Sequence, residues 1–333
     1  MLVTVPALSG LPLWYSRGMP DARLTAQLPH TLDSTDFPTL GQKYRGKVRD
    51  TYLKGDRLVL ITTDRLSAFD HILTTLPFKG DLLNTLAHFW FQKTAHVVKN
   101  HVIDMPDPCV IVGRRADAFK VEFVVRAFLT GSLWRDYEAG RDPYGLSLPA
   151  GMKKDQKFEK PILTPSTKAP IGQHDEPLTD AAVLERGLLS ARDWARSKEA
   201  AFGLFAEGQK QTSAQGMLLV DTKYEFGLIG DELVVIDEMH TPDSSRFWIA
   251  EGSAERFARG EPQQMLDKEN LRQWLIQERG FSGQGTPPPI PNEVRVMLAD
   301  KYLTAFERMT GTTFPLVVGD VRARIEKNLM GLL

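Results

Sequence analysis

The chain has almost no cysteine, no long apolar run and almost no net charge, and each lack closes off a class of protein. A single thiol, Cys109, in 333 residues excludes an intramolecular disulfide and any cysteine-built zinc cluster, which suits a reducing cytoplasm. No apolar stretch approaches the roughly 18 residues that a bilayer span needs. The formal net charge of −1 gives a nucleic-acid or membrane partner no electrostatic support, and no basic, aromatic-rich stripe is present. Neither an internal repeat nor a low-complexity tract occurs, and the Walker pattern GxxxxGK[ST] is missing. The N-terminal MLVTVPALSGLPLWYSRGMP is broken by Pro6 and Pro12 and lacks a basic leader, so it makes a poor secretory signal. It reads as a disordered tail, or as an over-long start ahead of Met19.

What is present is ordinary globular composition, 42% hydrophobic and 25% charged, at a length that suits two domains or one large domain with appendages. The informative stretch is 218–246, LLVDTKYEFGLIGDELVVIDEMHTPDSSR. Its apolar runs Met217 to Phe226 and Leu233 to Ile236 flank glycines at Gly227 and Gly230, which predicts a β-hairpin. Side chains alternate along a strand, so Asp221, Lys223 and Glu225 share one face while Val220, Thr222, Tyr224 and Phe226 share the other. A carboxylate at each strand exit with a lysine between them suits Mg²⁺ held against a polyphosphate. A two-residue turn at Gly230-Asp231 sets Glu225 opposite Ile236 and throws Asp237 onto the other face; a three-residue loop sets Lys223 opposite Asp237. The odd-length loop is therefore expected, since it brings both carboxylates to one metal. The plain alternative is a partly exposed hairpin with ordinary surface ion pairs.

Upstream, Tyr44 to Leu53 and Arg57 to Thr63 read as a second hairpin closed at Lys54-Gly55-Asp56, with Gly46 inside its first strand. Glycine weakens a strand unless the backbone must approach something, and Lys47 and Arg49 beside it suggest that the something is anionic; taken alone, the pattern reads more simply as basic residues on a surface hairpin. Leu82 to Lys99 has helical spacing; its His88 and His96 read as packing or surface residues. Strands follow at Cys109 to Arg114 and Lys120 to Ala127, the second carrying Glu122 and Arg126 on its even-numbered face, as a structural ion pair or as the lining of a nucleotide cleft. Gly131-Ser132 opens a helical stretch through Trp134 and Tyr137. Residues 138–180 read as irregular, with Lys168, His174 and Asp175 as chemical candidates and Thr179 as a helix cap. Helices are expected from Thr179 to Ala200 and on through Ala214 with a glycine interruption, then at Glu269 to Arg279, Glu293 to Met309 and Val321 to Leu332, with GFSGQGTPPPIP as a linker.

Seven phrases, YRGKVRDTY, DRLSAFD, VEFVVRAFLTGS, ILTPSTKA, HDEPLT, LLVDTKYEFG and VVIDEMHTPDSSRFW, run in order from about residue 40 to 250. Together they resemble the SAICAR synthetase family, the phosphoribosylaminoimidazole-succinocarboxamide synthases of purine biosynthesis, and the C-terminal helices resemble the longer form of that enzyme. Ala127-Phe128-Leu129 and Gln173 are variants within the motifs; neither removes a charged candidate.

The resemblance implies an α+β fold of two lobes, a kinase-like N-terminal antiparallel sheet and an ATP-grasp-like domain with C-terminal helices. Expected boundaries are a 1–39 tail or extension, a 40–118 ATP-binding lobe, a 119–260 substrate and metal domain and a 261–333 helical extension. It implies a cytoplasmic, ATP-dependent ligase joining L-aspartate to the carboxylate of carboxyaminoimidazole ribonucleotide, giving the succinocarboxamide, ADP and phosphate. Implied roles are Lys47 at nucleotide phosphate, with Arg49 and Glu122 on the nucleotide side, and Glu225 and Asp237 on Mg²⁺. Arg126, Ser132, Lys168, His174, Asp175, Ser245 and Arg246 are implied for the substrates, and Lys223, Asp221 and Arg246 for the reaction. A carboxylate acylates no amine until its oxygen is made a leaving group, so an acyl phosphate is the expected route and no covalent enzyme intermediate is needed. Asp221, Asp175 and His174 all stay open as acceptors of the amine proton. The alternatives are a small-molecule kinase on a related fold and a non-catalytic nucleotide-binding regulator. Monomer and homodimer both stay open.

Overall fold

Short alternating runs in the first third of the chain build a five-stranded antiparallel sheet. The computed structural model describes residues 19–69, 71–169, 174–266 and 268–331. After helix α1 (Ala22–Gln27) come β1 (Gln42–Arg45), β2 (Arg49–Lys54), β3 (Arg57–Thr62), β4 (Arg65–Ala68), β5 (His71–Thr75), α2 (Lys79–Lys93), β6 (Lys99–Asn100), β7 (Val102–Asp107) and β8 (Val110–Arg114). The sheet order is β1-β2-β3-β8-β7, with β4 and β5 as a separate hairpin. The single strand expected over Tyr44 to Leu53 is two strands: Arg45 pairs with Asp50, and the Gly46 N–H donates 2.7 Å to the Arg49 carbonyl. Gly46 thus sits in a turn between strands. Residues 21–39, part of the 1–39 segment expected as tail or extension, are packed: Leu24 joins the main core and Leu32 and Phe37 join the core of this sheet.

The second sheet holds β9 (Asp117–Leu129), β10 (Gln156–Thr167), β11 (Met217–Ile229), β12 (Glu232–Ile236) and β13 (Ser245–Ile249), in the order β10-β9-β11-β12-β6, with β13 also on β11. β10 corrects the irregular stretch expected over 138–180. Pro161 and Pro165 break its strand signal, but β10 is an edge strand with a register shift between Lys157 and Ile162, and an edge tolerates a missing N–H. Helix α3 (Gly131–Glu138) lies between β9 and β10. Behind the sheet, α4 (Asp180–Glu185) and α5 (Ala191–Ala214) replace the expected run from Thr179: the break falls at Gly187, φ +63°, and Ser190 caps α5 afresh. Gly203 and Gly208 leave α5 uninterrupted, and a Cβ on Gly208 would lie 2.6 Å from Leu219. The apolar face of β11 (Val220, Tyr224, Phe226) is fully buried, with Phe226 edge-on to Phe123 and Phe123 against Trp194 of α5.

The expected C-terminal helices are present as α7 (Glu269–Arg279), α8 (Asn292–Thr310) and α9 (Val321–Asn328), after a short α6 (Ser253–Arg259). α9 returns to the first sheet, where Val321, Ile325 and Leu329 complete its core and Arg324 bonds Asp81 of α2 and Asp107 of β7. No helix among the described residues is long and apolar enough to cross a membrane.

Candidate active site

The site forms where the central strand changes partner. Along one edge β11 pairs with β13 over Met217 to Thr222 and with β12 over Glu225 to Ile229, so the 237–244 connection leaves the sheet beside Lys223. The Lys223 N–H donates to the Ser244 carbonyl at 3.1 Å and anchors that loop. On the other edge β9 places Arg126 opposite Asp221 and Glu122 opposite Glu225. The odd residues of β11 and the even residues of β9 therefore make one charged face.

Register corrects one expectation. The hairpin turn has two residues: Ile229 pairs with Glu232 and Glu225 with Ile236. Yet Asp237 still reaches the face of Glu225, because it has left the strand and adopts φ +64°, a left-handed conformation that aspartate tolerates better than most residues. Lys223 Nζ lies 2.5 Å from Glu225, 2.8 Å from Glu122 and 3.9 Å from Asp237. Glu225 is also paired with Lys168, and Asp237 with Arg49, whose other nitrogen reaches Glu238 at 2.9 Å. Burial, and then the neighbouring Lys223 charge, pull the Lys168 ammonium down to about 8.

Arg49, Glu122, Lys168, Lys223, Glu225 and Asp237 line a cavity of about 540 Å³ between the two sheets. Gly46, Lys47, Val48 and Arg49 from the β1–β2 turn form one wall; Leu53, Leu58, Leu60, Ala116, Ala118 and Ile236 supply an apolar slot. Asp175 also faces this cavity and accepts from the Ala169 N–H at 2.7 Å; burial raises its carboxyl above the ordinary range. His174 is exposed, and Gln173 and Asp70 lie outside the described residues.

A second cavity of about 220 Å³ adjoins the first and shares Lys223 with it. Arg126, Ser132, Asp221, Ser245 and Arg246 line it. Arg126 donates to Thr164 at 2.8 Å, Asp221 at 3.2 Å and Ser132 at 3.3 Å; Arg246 donates to the same Asp221 oxygen at 2.6 Å. One carboxylate thus holds two guanidiniums side by side at the wall of a small polar cavity, a fork geometry suited to phosphate or carboxylate. Ser245 donates to Thr222 at 2.6 Å. Gly131, φ +61°, lets the Arg246 guanidinium lie flat over it, since a Cβ there would be 2.6 Å from the nearest nitrogen.

Several residues here went unread in the sequence. Lys268, Glu269 and Arg272, at the start of α7, line the second cavity. Asp243 takes Lys79 of α2 at 2.9 Å and the Tyr302 hydroxyl of α8, clamping the 237–244 loop from two helices. Lys79 is fully buried in the first turn of its helix, and nothing in the local sequence marked it out from a surface lysine.

The family model for SAICAR synthetase matches residues 42–287. A phosphoribosylaminoimidazole-succinocarboxamide synthase of Legionella pneumophila is 42% identical over 293 residues, 86% of this chain and 93% of that protein. The enzyme of that name from Bacteroides fragilis is 43% identical over 310 residues, 91% of this chain and 98% of that one. A solved SAICAR-synthase from Saccharomyces cerevisiae, complexed with SAICAR, superposes with a TM-score of 0.74 at 30% identity, covering 85% of this chain and 99% of its own.

Proposed function

The chain belongs to the SAICAR synthetase family, and from that premise we propose how its residues divide the reaction, the ATP-dependent ligation of L-aspartate to the carboxylate of carboxyaminoimidazole ribonucleotide. The kinase alternative is not favoured, because the relatives are synthases. One observation carries the reading: Lys223 is common to both cavities. ATP lies in the larger one, its base in the apolar slot and its phosphates along the Gly46–Arg49 turn. The ribonucleotide lies in the smaller one, its phosphate on Arg126, Ser132 and Arg246. The γ-phosphoryl group and the acceptor carboxylate then meet at the Lys223 ammonium.

Three anionic reactants repel one another, and the cations lining the two cavities offset that repulsion. The donor set also fits a hard divalent ion: Glu122, Glu225 and Asp237 all approach one cation, the Lys223 ammonium. Glu225 and Asp237 would hold Mg²⁺, which supplies charge neutralisation for the transferring phosphoryl group. Lys223 and Lys47 steady the phosphoryl oxygens. The acceptor carboxylate takes the γ-phosphoryl group, the aspartate amine attacks the activated carbon, and phosphate leaves. Asp221 is committed to two arginines and acts by holding them; Asp175, whose carboxyl burial shifts upward, is the better placed acceptor for the amine proton. We assign the chain to the cytoplasm, where ATP and these substrates are.

The test is ADP release measured with each co-substrate withheld in turn. Full release that needs both aspartate and the ribonucleotide supports ligation; ADP in quantity without aspartate overturns it.

A further inference from the structure

The phrase DRLSAFD was singled out by resemblance, but its described residues, 64–69, line neither cavity. Its Arg65 is a fully buried cation whose hydrogen bonds run mostly to backbone. Nε donates to the Lys47 carbonyl at 3.1 Å and Nη2 to the Gly46 carbonyl at 3.1 Å and to Asp50 Oδ1 at 2.8 Å, while Nη1 donates to the Asp33 carbonyl. Two residues earlier, Thr63 donates to the Val48 carbonyl from its N–H at 2.9 Å and from its hydroxyl at 2.8 Å. Three successive carbonyls of the β1–β2 turn are therefore drawn inward by the segment 63–65. A backbone turn binds an anion when its carbonyls point away and its N–H groups point toward the ligand. A free glycine-bearing turn samples both arrangements, and a fixed fork of donors behind it selects one.

We infer that Arg65 is a positioning residue for nucleotide binding, holding the carbonyls of Gly46 and Lys47 away from the cleft so that the β1–β2 turn does not set them against the ATP phosphates. This rests on the assignment of ATP to the larger cavity. Arg65 touches no substrate and acts through the turn. The planar fork is what matters: a lysine supplies the charge that Asp50 needs, but its three donors radiate from one point, whereas Arg65 serves four acceptors, the carbonyls of Asp33, Gly46 and Lys47 and the Asp50 carboxylate, from three separate nitrogens.

The experiment is steady-state kinetics on Arg65→Lys, with the KM for each of the three substrates and with folding checked by thermal melting. The KM for ATP should rise about tenfold, as misplaced binding groups do, while the KM values for aspartate and ribonucleotide stay within about twofold. Thr35→Val is the control. It removes the Thr35 hydroxyl's 2.9 Å bond to Asp50 and loosens the same buried cluster without touching the turn carbonyls, so it should lower the melting temperature and leave the KM for ATP alone. Should Arg65→Lys fail to fold, the charge-free pair Arg65→Gln with Asp50→Asn asks the same question. A folded Arg65 variant with an unchanged KM for ATP overturns the inference. So does an equal rise in all three KM values, or a rise in Thr35→Val as large as in the Arg65 variant. Lys47→Ala separates the two levels: if it leaves the KM for ATP unchanged, the placement of ATP fails; if it raises that KM while Arg65→Lys does not, the inference alone fails.

Discussion

Glu225→Ala should leave a folded protein that no longer ligates. The carboxylate is 4% exposed, and its partners are ammonium groups on side chains that are 29% (Lys223) and 42% (Lys168) exposed. When Glu225 is lost, Lys223 keeps Glu122 at 2.8 Å and Asp237 at 3.9 Å, and Lys168 turns to water. Pairs with partners this exposed contribute about 1 kcal/mol at most, so the melting temperature should move by only about 2–4 °C. The chemical step loses one of the two carboxylates assigned to Mg²⁺. A loss of about a thousandfold in turnover, ~4 kcal/mol at ~1.4 per decade, is expected from removing one such electrostatic contributor. The assay is coupled ADP release at saturating substrates across a Mg²⁺ titration, with Glu225→Gln as the isosteric companion. Both variants should turn over slowly and require more Mg²⁺, and chelating the metal should stop the native enzyme. Near-normal turnover of Glu225→Ala at ordinary Mg²⁺ would refute the metal assignment, and collapse of the fold would refute the stability argument.

Other perturbations test other parts. Arg246→Ala removes one of the two guanidiniums held by Asp221 and should raise the KM for the ribonucleotide about a hundredfold, two lost charge-assisted bonds' worth, with a far smaller effect on the KM for ATP. Gly208→Ala places a methyl 2.6 Å from Leu219 and 2.7 Å from the His240 ring, which should cost about 1–3 kcal/mol by overpacking, more than the ~1 kcal/mol that alanine gains in a helix; thermal melting reads the difference. Asp64 is buried beneath the N–H groups of Leu32 and Gly80, and desolvation, with Asp81 adding repulsion, lifts its carboxyl from 3.8 to about 7. The folded state therefore holds a proton that the unfolded state has released. The contribution of this group is complete below about pH 4 and is lost as pH rises toward 7. Denaturant midpoints at pH 5 and pH 8 should fall less in Asp64→Asn than in the native chain; equal falls would show that Asp64 does not titrate in this window.

Residue order alone determined a good deal. Period-two alternation in 217–226 separated the charged face of β11 from its buried face, helical spacing located α7 and α8 to within a residue, and the ordered phrases pointed to the family. These are local signals, carried by side chains a few positions apart. What tertiary structure decided was where strands stop and which of them meet. The Gly46 turn looked like strand because Tyr44 to Leu53 alternates on both sides of it. β10 looked like loop because its prolines are harmless only at a sheet edge. Asp237 joined Glu225 through a left-handed backbone step after the strand, a route that register counting could not supply. Lys79, Lys268 and Arg272 reached the site from helices far away in the chain. Spacing along the chain carries no information about such meetings, since they follow from how two sheets and the C-terminal helices bury their apolar faces together.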